Sequence, residues 1–138
     1  MATSTVIYKG QLRTEALHLA SNNSIISDAP KDNHGKGEAF SPTDLVATAL
    51  ASCLLTIMGI VAQRNDWNIE NTKADVTKIM AENPRRIASI QIIITMPIQS
   101  QDFDTKTRQI LENAARTCPV AQSLHPDLQQ DIQFVYPA

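Results

Sequence analysis

The chain has 138 residues, 12 Lys and Arg against 14 Asp and Glu, a formal charge of −2, and two cysteines. That length suits a single domain able to bury about two-thirds of its unfolded surface. The basic residues are scattered rather than gathered into a patch or arm, which argues against nucleic acid and against an anionic membrane surface as partners.

Met1 to Gly10 mixes polar and apolar residues without a charged n-region leading into an apolar stretch, so no export signal is read. Two cysteines make no disulfide framework, and a cytoplasmic protein is expected. Thr5 to Tyr8 and Leu12 to Leu19 have short β-like patterns, and Ser21-Asn22-Asn23-Ser24 is a turn cluster leading to Ile25-Ile26-Ser27, which predicts a small antiparallel meander. From Asp28 to Glu38 the composition shifts to Pro, Asp, Asn, Gly and Lys, the signature of a polar loop.

Ser41-Pro42-Thr43-Asp44 is a compact helix start: Ser41 can cap, Pro42 suits the first helical position, and Asp44 stands where the acid of a capping box would. The helix is expected to run to about Arg64. Leu45 to Ala62 has about the minimum apolar length that could cross a bilayer. Thr48, Ser52, Thr56 and Gly59 interrupt it and mean hydropathy is slightly negative, so a buried helix, apolar on nearly every side, is expected rather than a membrane span. Asn65-Asp66 ends it. Trp67 to Met80 and Ile87 to Ile98 follow as strands, the second alternating at Ile90, Ile92, Ile94, Met96 and Ile98, with a hairpin at Asn83-Pro84-Arg85. Phe103 to Thr117 has helical spacing, Cys118-Pro119 breaks it, a short helix follows, and Ile132, Phe134 and Tyr136 alternate as a last strand. These elements and the length predict one domain covering residues 1–138.

Neither Cys53 nor Cys118 has a second cysteine nearby, so a zinc knuckle or a thioredoxin-type motif is not available. His18, His34 and His125 are not spaced as metal pairs and read as surface or turn residues; only His34, in the loop before the cysteine helix, invites a test at a site. Two readings of the cysteines stand side by side. They can serve as small buried hydrophobes, or as a long-range pair in which one thiol attacks an oxidant and the other resolves the sulfenic acid into a disulfide.

Ser41-Pro42-Thr43-Asp44-Leu45 followed by Ala49-Leu50-Ala51-Ser52-Cys53 on a long apolar helix, then Cys118-Pro119-Val120-Ala121-Gln122 on a second, resembles the OsmC/Ohr family of osmotically inducible and organic hydroperoxide resistance proteins. The resemblance covers nearly the whole chain. It implies an α+β fold with antiparallel sheets wrapped around central cysteine-bearing helices in an intertwined homodimer, and a thiol-dependent peroxidase acting on small apolar hydroperoxides. Neither cofactor nor metal is implied, and the reductant would be an external dithiol such as a lipoylated protein.

By the same resemblance Cys53 is the peroxidatic thiol and Cys118 the resolving one. Cys53 lies mid-helix among apolar residues, which raises a thiol pKa, so it needs a cation or donor. Cys118 stands at the start of a short helix, where the helix dipole favours thiolate. The family activates its attacking thiol with an arginine held by a glutamate. Arg13, on an early strand, is the candidate, and the alternative is a solvated arginine paired with Glu15 on the same face. The family acid that follows the helix-start proline is replaced by Thr43. Asp44, one place later, is the candidate acid, although that position also suits a cap, and Glu38 in the preceding loop could substitute. The competing functional reading is a catalytically weak OsmC-like protein that binds apolar ligands or transfers thiols.

Overall fold

The computed structural model describes residues 1–138, which form two compact units, Met1–Val46 and Ala47–Ala138. In the first, β1 (Ser4–Gly10), β2 (Arg13–His18) and β3 (Ser24–Asp28) make the expected antiparallel meander, in that order. Gly10, Gln11 and Leu12 turn the chain between β1 and β2 with φ of 86°, 54° and 64°. The β2–β3 turn closes earlier than the Ser21–Ser24 cluster suggests. His18 N–H donates to Asn23 O and Asn22 N–H to His18 O, each at 2.8 Å. Its cause is local chemistry: Ser21 Oγ accepts the Asn23 N–H at 3.2 Å and pairs with His18 Nδ1 at 2.6 Å, pulling the bend toward His18. This register sets Arg13 directly opposite Asp28.

The polar loop after β3 folds back on its own start. Gly35 and Gly37 donate their N–H groups to Pro30 O at 2.9 Å and Ala29 O at 3.2 Å. A side chain at residue 35 would run into the Ala29 carbonyl, so the close approach requires glycine there. The loop therefore returns Glu38 to the end of β3.

The helix α1 (Pro42–Arg64) carries the chain into the second unit and ends at Asn65-Asp66 as predicted. Ala47, Leu50, Ala51, Leu54, Met58 and Ala62 are its buried residues, one stripe at helical spacing. Within the single chain Ala49, Ser52, Thr56 and Ile60 are exposed. By length and composition α1 is apolar enough to cross a membrane. Its buried stripe instead shares a core with Ile90, Ile92, Ile94 and Leu111, where full burial of each large aliphatic side chain contributes about 1.5–3 kcal/mol.

A second sheet has the order β4 (Lys73–Ala81), β5 (Arg86–Thr95), β6 (Gln129–Val135). β4 starts later than Trp67 because Asp66 and Asn71 take left-handed backbone (φ 57° and 73°) and Thr72 N–H turns back to Ile69 O at 3.1 Å. β5 stops short of Ile98 because Pro97 has no N–H to donate, which leaves Ile98 exposed although it continues the alternation of Ile90, Ile92 and Ile94. The antiparallel expectation holds for β4 and β5. β6, however, runs parallel to β5, since α2 (Thr105–Ala115) and α3 (Pro119–Ser123) give the connection enough length for a crossover. α2 is shorter than predicted, because Asp104 caps it by accepting Thr107 N–H at 2.8 Å.

Candidate active site

Cys118 is the N-cap of α3, in extended backbone (φ −61°, ψ 144°) before Pro119, and its Sγ accepts the Ala121 N–H at 3.3 Å. It is wholly buried and belongs to the core. Cys53, on α1, is half-buried and packs against the same core. The two thiols, distant in sequence, thus share one core, where the Cys53 sulfur bears on the Cys118 thiol, and neither is in a disulfide. Burial pushes the Cys118 thiol up, the Ala121 N–H draws it back only in part, and the Cys53 sulfur adds to the rise. The helix start favours a lower value, but burial prevails. α3 has only five residues, and desolvation outweighs what so short a helix and the Ala121 and Val120 N–H groups provide.

Within the first unit a second cluster forms around Arg13. Its Nη2 donates to Glu38 Oε1 at 2.6 Å and to Asp28 Oδ2 at 3.5 Å, so its carboxylate partners are these two rather than Glu15. Asp28, which sequence reasoning left in the polar loop, is wholly buried at the end of β3. Its Oδ2 also accepts the Glu38 N–H at 2.9 Å. That N–H holds the Asp28 carboxyl below its ordinary range, with Arg13 acting in the same direction and burial opposing both. Glu38, the loop acid, thus grips the arginine with its side chain and Asp28 with its backbone.

A lowered carboxyl pKa in the fold means stability that is present above the unfolded value, near 3.8, and lost as pH falls through the folded one. Asp28→Asn should therefore melt below wild type at neutral pH, and the gap should narrow as pH drops below about 4. Thermal midpoints of both proteins across acid pH measure this. A gap of constant size would mean that the Asp28 charge contributes nothing.

At the helix start Ser41 Oγ accepts the Asp44 N–H at 3.1 Å and Asp44 Oδ2 accepts the Ser41 N–H at 3.0 Å, a reciprocal capping box. Thr43 Oγ1 lies 3.2 Å from Ser41 Oγ. Of the histidines, His18 braces the β2–β3 turn, His125 Nδ1 accepts the Asp127 N–H at 3.0 Å in the last turn, and His34 is exposed at φ 71° after a single 3-10 turn. An open cavity of about 400 Å³ runs beside the second half of α1, with Leu55, Gly59, Trp67 and Ile69 among its walls. Neither cysteine lines it.

In this α+β fold a long apolar helix and a Cys-Pro helix start carry two free thiols to one core. Residues 35–132 match the family described as OsmC-like protein, and the chain belongs to that family. No curated protein matches it in sequence. Among solved structures, a Psychrobacter arcticus 273-4 protein, assigned by name to osmotic stress induction and the detoxification response, is 57% identical. The match covers 97% of this chain and 96% of that one, with a TM-score of 0.92. An organic hydroperoxide resistance protein OsmC of Legionella pneumophila shares the fold at 14% identity, 98% coverage of each chain and a TM-score of 0.74. So does an OsmC-like protein of Mycoplasma pneumoniae, at 18% identity, 98% and 96% coverage and a TM-score of 0.76.

Proposed function

We propose that this protein is a two-cysteine thiol peroxidase that reduces organic hydroperoxides in the cytoplasm as part of peroxide defence. One observation carries the reading: a buried thiol, Cys118, kept protonated beside a more accessible one, Cys53. The names of the Psychrobacter and Legionella proteins support it. Cys53 thiolate attacks the distal peroxide oxygen, the O–O bond breaks, and the alkoxide leaves as alcohol after taking a proton. The Cys53 sulfenic acid then condenses with the Cys118 thiol, releasing water and forming the disulfide. An external dithiol, such as a lipoylated protein, reduces it and is itself oxidised. Arg13 is assigned to the Cys53 thiolate by family resemblance, and Asp44 is retained as a candidate acid beside its capping role.

Mass spectrometry after one equivalent of cumene hydroperoxide tests the cycle. Wild type should gain a Cys53–Cys118 disulfide and Cys118→Ser a trapped Cys53 sulfenic acid. A serine at 118 can still cap α3, so loss of the fold does not obscure the result. Unmodified Cys53 in both proteins would overturn the reading. The competing proposal, an apolar-ligand or thiol-transfer protein with little turnover, draws on Thr43 in place of the family acid and on a cavity that neither cysteine lines.

We further propose a homodimer. Val6 and Ile7 point to opposite faces of β1, yet they are 60% and 57% exposed. Apolar residues uncovered on both faces of a small sheet favour a partner surface.

A further inference from the structure

The outer face of α2 and the last strand enclose a second cavity, of about 550 Å³, whose chemistry is unlike that of the apolar groove beside α1. That volume lies within the usual range for a small-molecule site. Arg108, Glu112 and Arg116 follow at four-residue spacing and share one face of the helix. Phe134 and Tyr136, two apart, share one side of β6 and its extension. The two sets interlock: the Arg108 guanidinium lies 4.1 Å from the centre of the Tyr136 ring and that of Arg116 lies 5.6 Å from the centre of Phe134.

A guanidinium stacked on a ring keeps its in-plane N–H groups free for a second partner. Arg108 uses Nε on Phe103 O at 2.9 Å, which fixes the plane and leaves its Nη groups available. Neither arginine is ion-paired. The one acid in the groove, Glu112, accepts the Tyr136 hydroxyl at 3.0 Å instead. Burial, and then Glu112 itself, hold the Tyr136 proton in place, so this neutral donor stays on the carboxylate. Gln109 and Asn113 add amide donors to the lining. One guanidinium fixed over Tyr136, a second, exposed one beside Phe134, and neutral donors around one cavity can receive a multiply charged oxyanion.

We infer that the α2–β6 groove binds a small polyanion, a phosphate-bearing compound or a polycarboxylate, between Arg108 and Arg116. The site is separate from the thiol pair and does not depend on peroxidase activity. Neither Cys53 nor Cys118 lines it.

Titration of the ¹⁵N-labelled full chain with inorganic phosphate or with citrate, at ionic strength held constant by chloride, tests this by NMR. The Arg108 and Arg116 side-chain resonances should shift saturably with at least one of the two anions. Tighter phosphate binding would identify a phosphate-bearing ligand, and tighter citrate binding a polycarboxylate. Arg116→Gln removes an exposed guanidinium and should weaken binding tenfold or more. Lys106→Gln makes the same charge change on the same helix outside the groove and should leave affinity unchanged. Shifts that do not saturate, that centre elsewhere on the chain, or that fall equally in the two variants would overturn the inference.

Discussion

Arg13→Ala is expected to lower the second-order rate of Cys53 oxidation by an alkyl hydroperoxide about a hundredfold, the usual cost of removing one donor that stabilises developing charge. The surroundings of Arg13 predict a second consequence. Asp28 is wholly buried, and Arg13 is the cation beside it. Removing the guanidinium leaves a desolvated carboxylate supported by backbone N–H groups alone, so Arg13→Ala should also melt lower than wild type. The two effects separate in Arg13→Ala/Asp28→Asn, where the stranded charge is gone. Its midpoint should recover toward that of Asp28→Asn, while its oxidation rate stays as slow as in Arg13→Ala. Stopped-flow oxidation and thermal unfolding of the three variants supply the comparison. If the double variant oxidises as fast as wild type, Arg13 only neutralises Asp28, and the cation that activates Cys53 lies elsewhere.

Much of this site was legible in the chain itself. The two cysteine motifs, the capping box at Ser41 and Asp44, and the break at Pro119 each follow from local chemistry, and local chemistry survives folding. What was missed depended on register and burial. The Arg13–Asp28 pair follows from the β2–β3 register, whereas composition alone assigns Asp28 to the polar loop that begins there. The protonation of Cys118 depends on burial in the same way. A helix start can be read from Cys-Pro, but burial of the thiol in the core can be read only from the fold. Ile98 makes the same point, since perfect alternation with Ile94 and Met96 does not keep a residue inside once Pro97 has ended the strand. Glu38 was legible as an acid that could substitute in holding the arginine, and it pairs with Arg13 at 2.6 Å. Its role depends on Gly35 letting the loop close onto Ala29.

The proposed dimer has the largest expected consequence for the whole molecule. Ala49, Cys53, Thr56 and Ile60 succeed one another at intervals of four, three and four residues, the spacing that keeps one helical seam facing a partner helix. In the single chain Ala49, Thr56 and Ile60 are exposed, Ile60 at 41%, while the opposite stripe of α1 is buried. If that seam meets a second copy, Ala49→Arg forces a charge into a desolvated contact where a small residue allowed close approach, and the partner cannot repack around it. If the seam faces water, the same substitution on an exposed helical position should change stability by no more than about 0.5 kcal/mol. Wild type is expected to sediment at twice the chain mass at micromolar concentration, with a thermal midpoint that falls on dilution. Ala49→Arg should sediment as a monomer or fail to fold, and should lose peroxide turnover with it because Cys53 lies in the seam. A wild-type protein that sediments as a folded monomer at micromolar concentration, with a midpoint indifferent to dilution, would remove the dimer. The exposed apolar residues of α1 and β1 would then belong to the surface of a single chain.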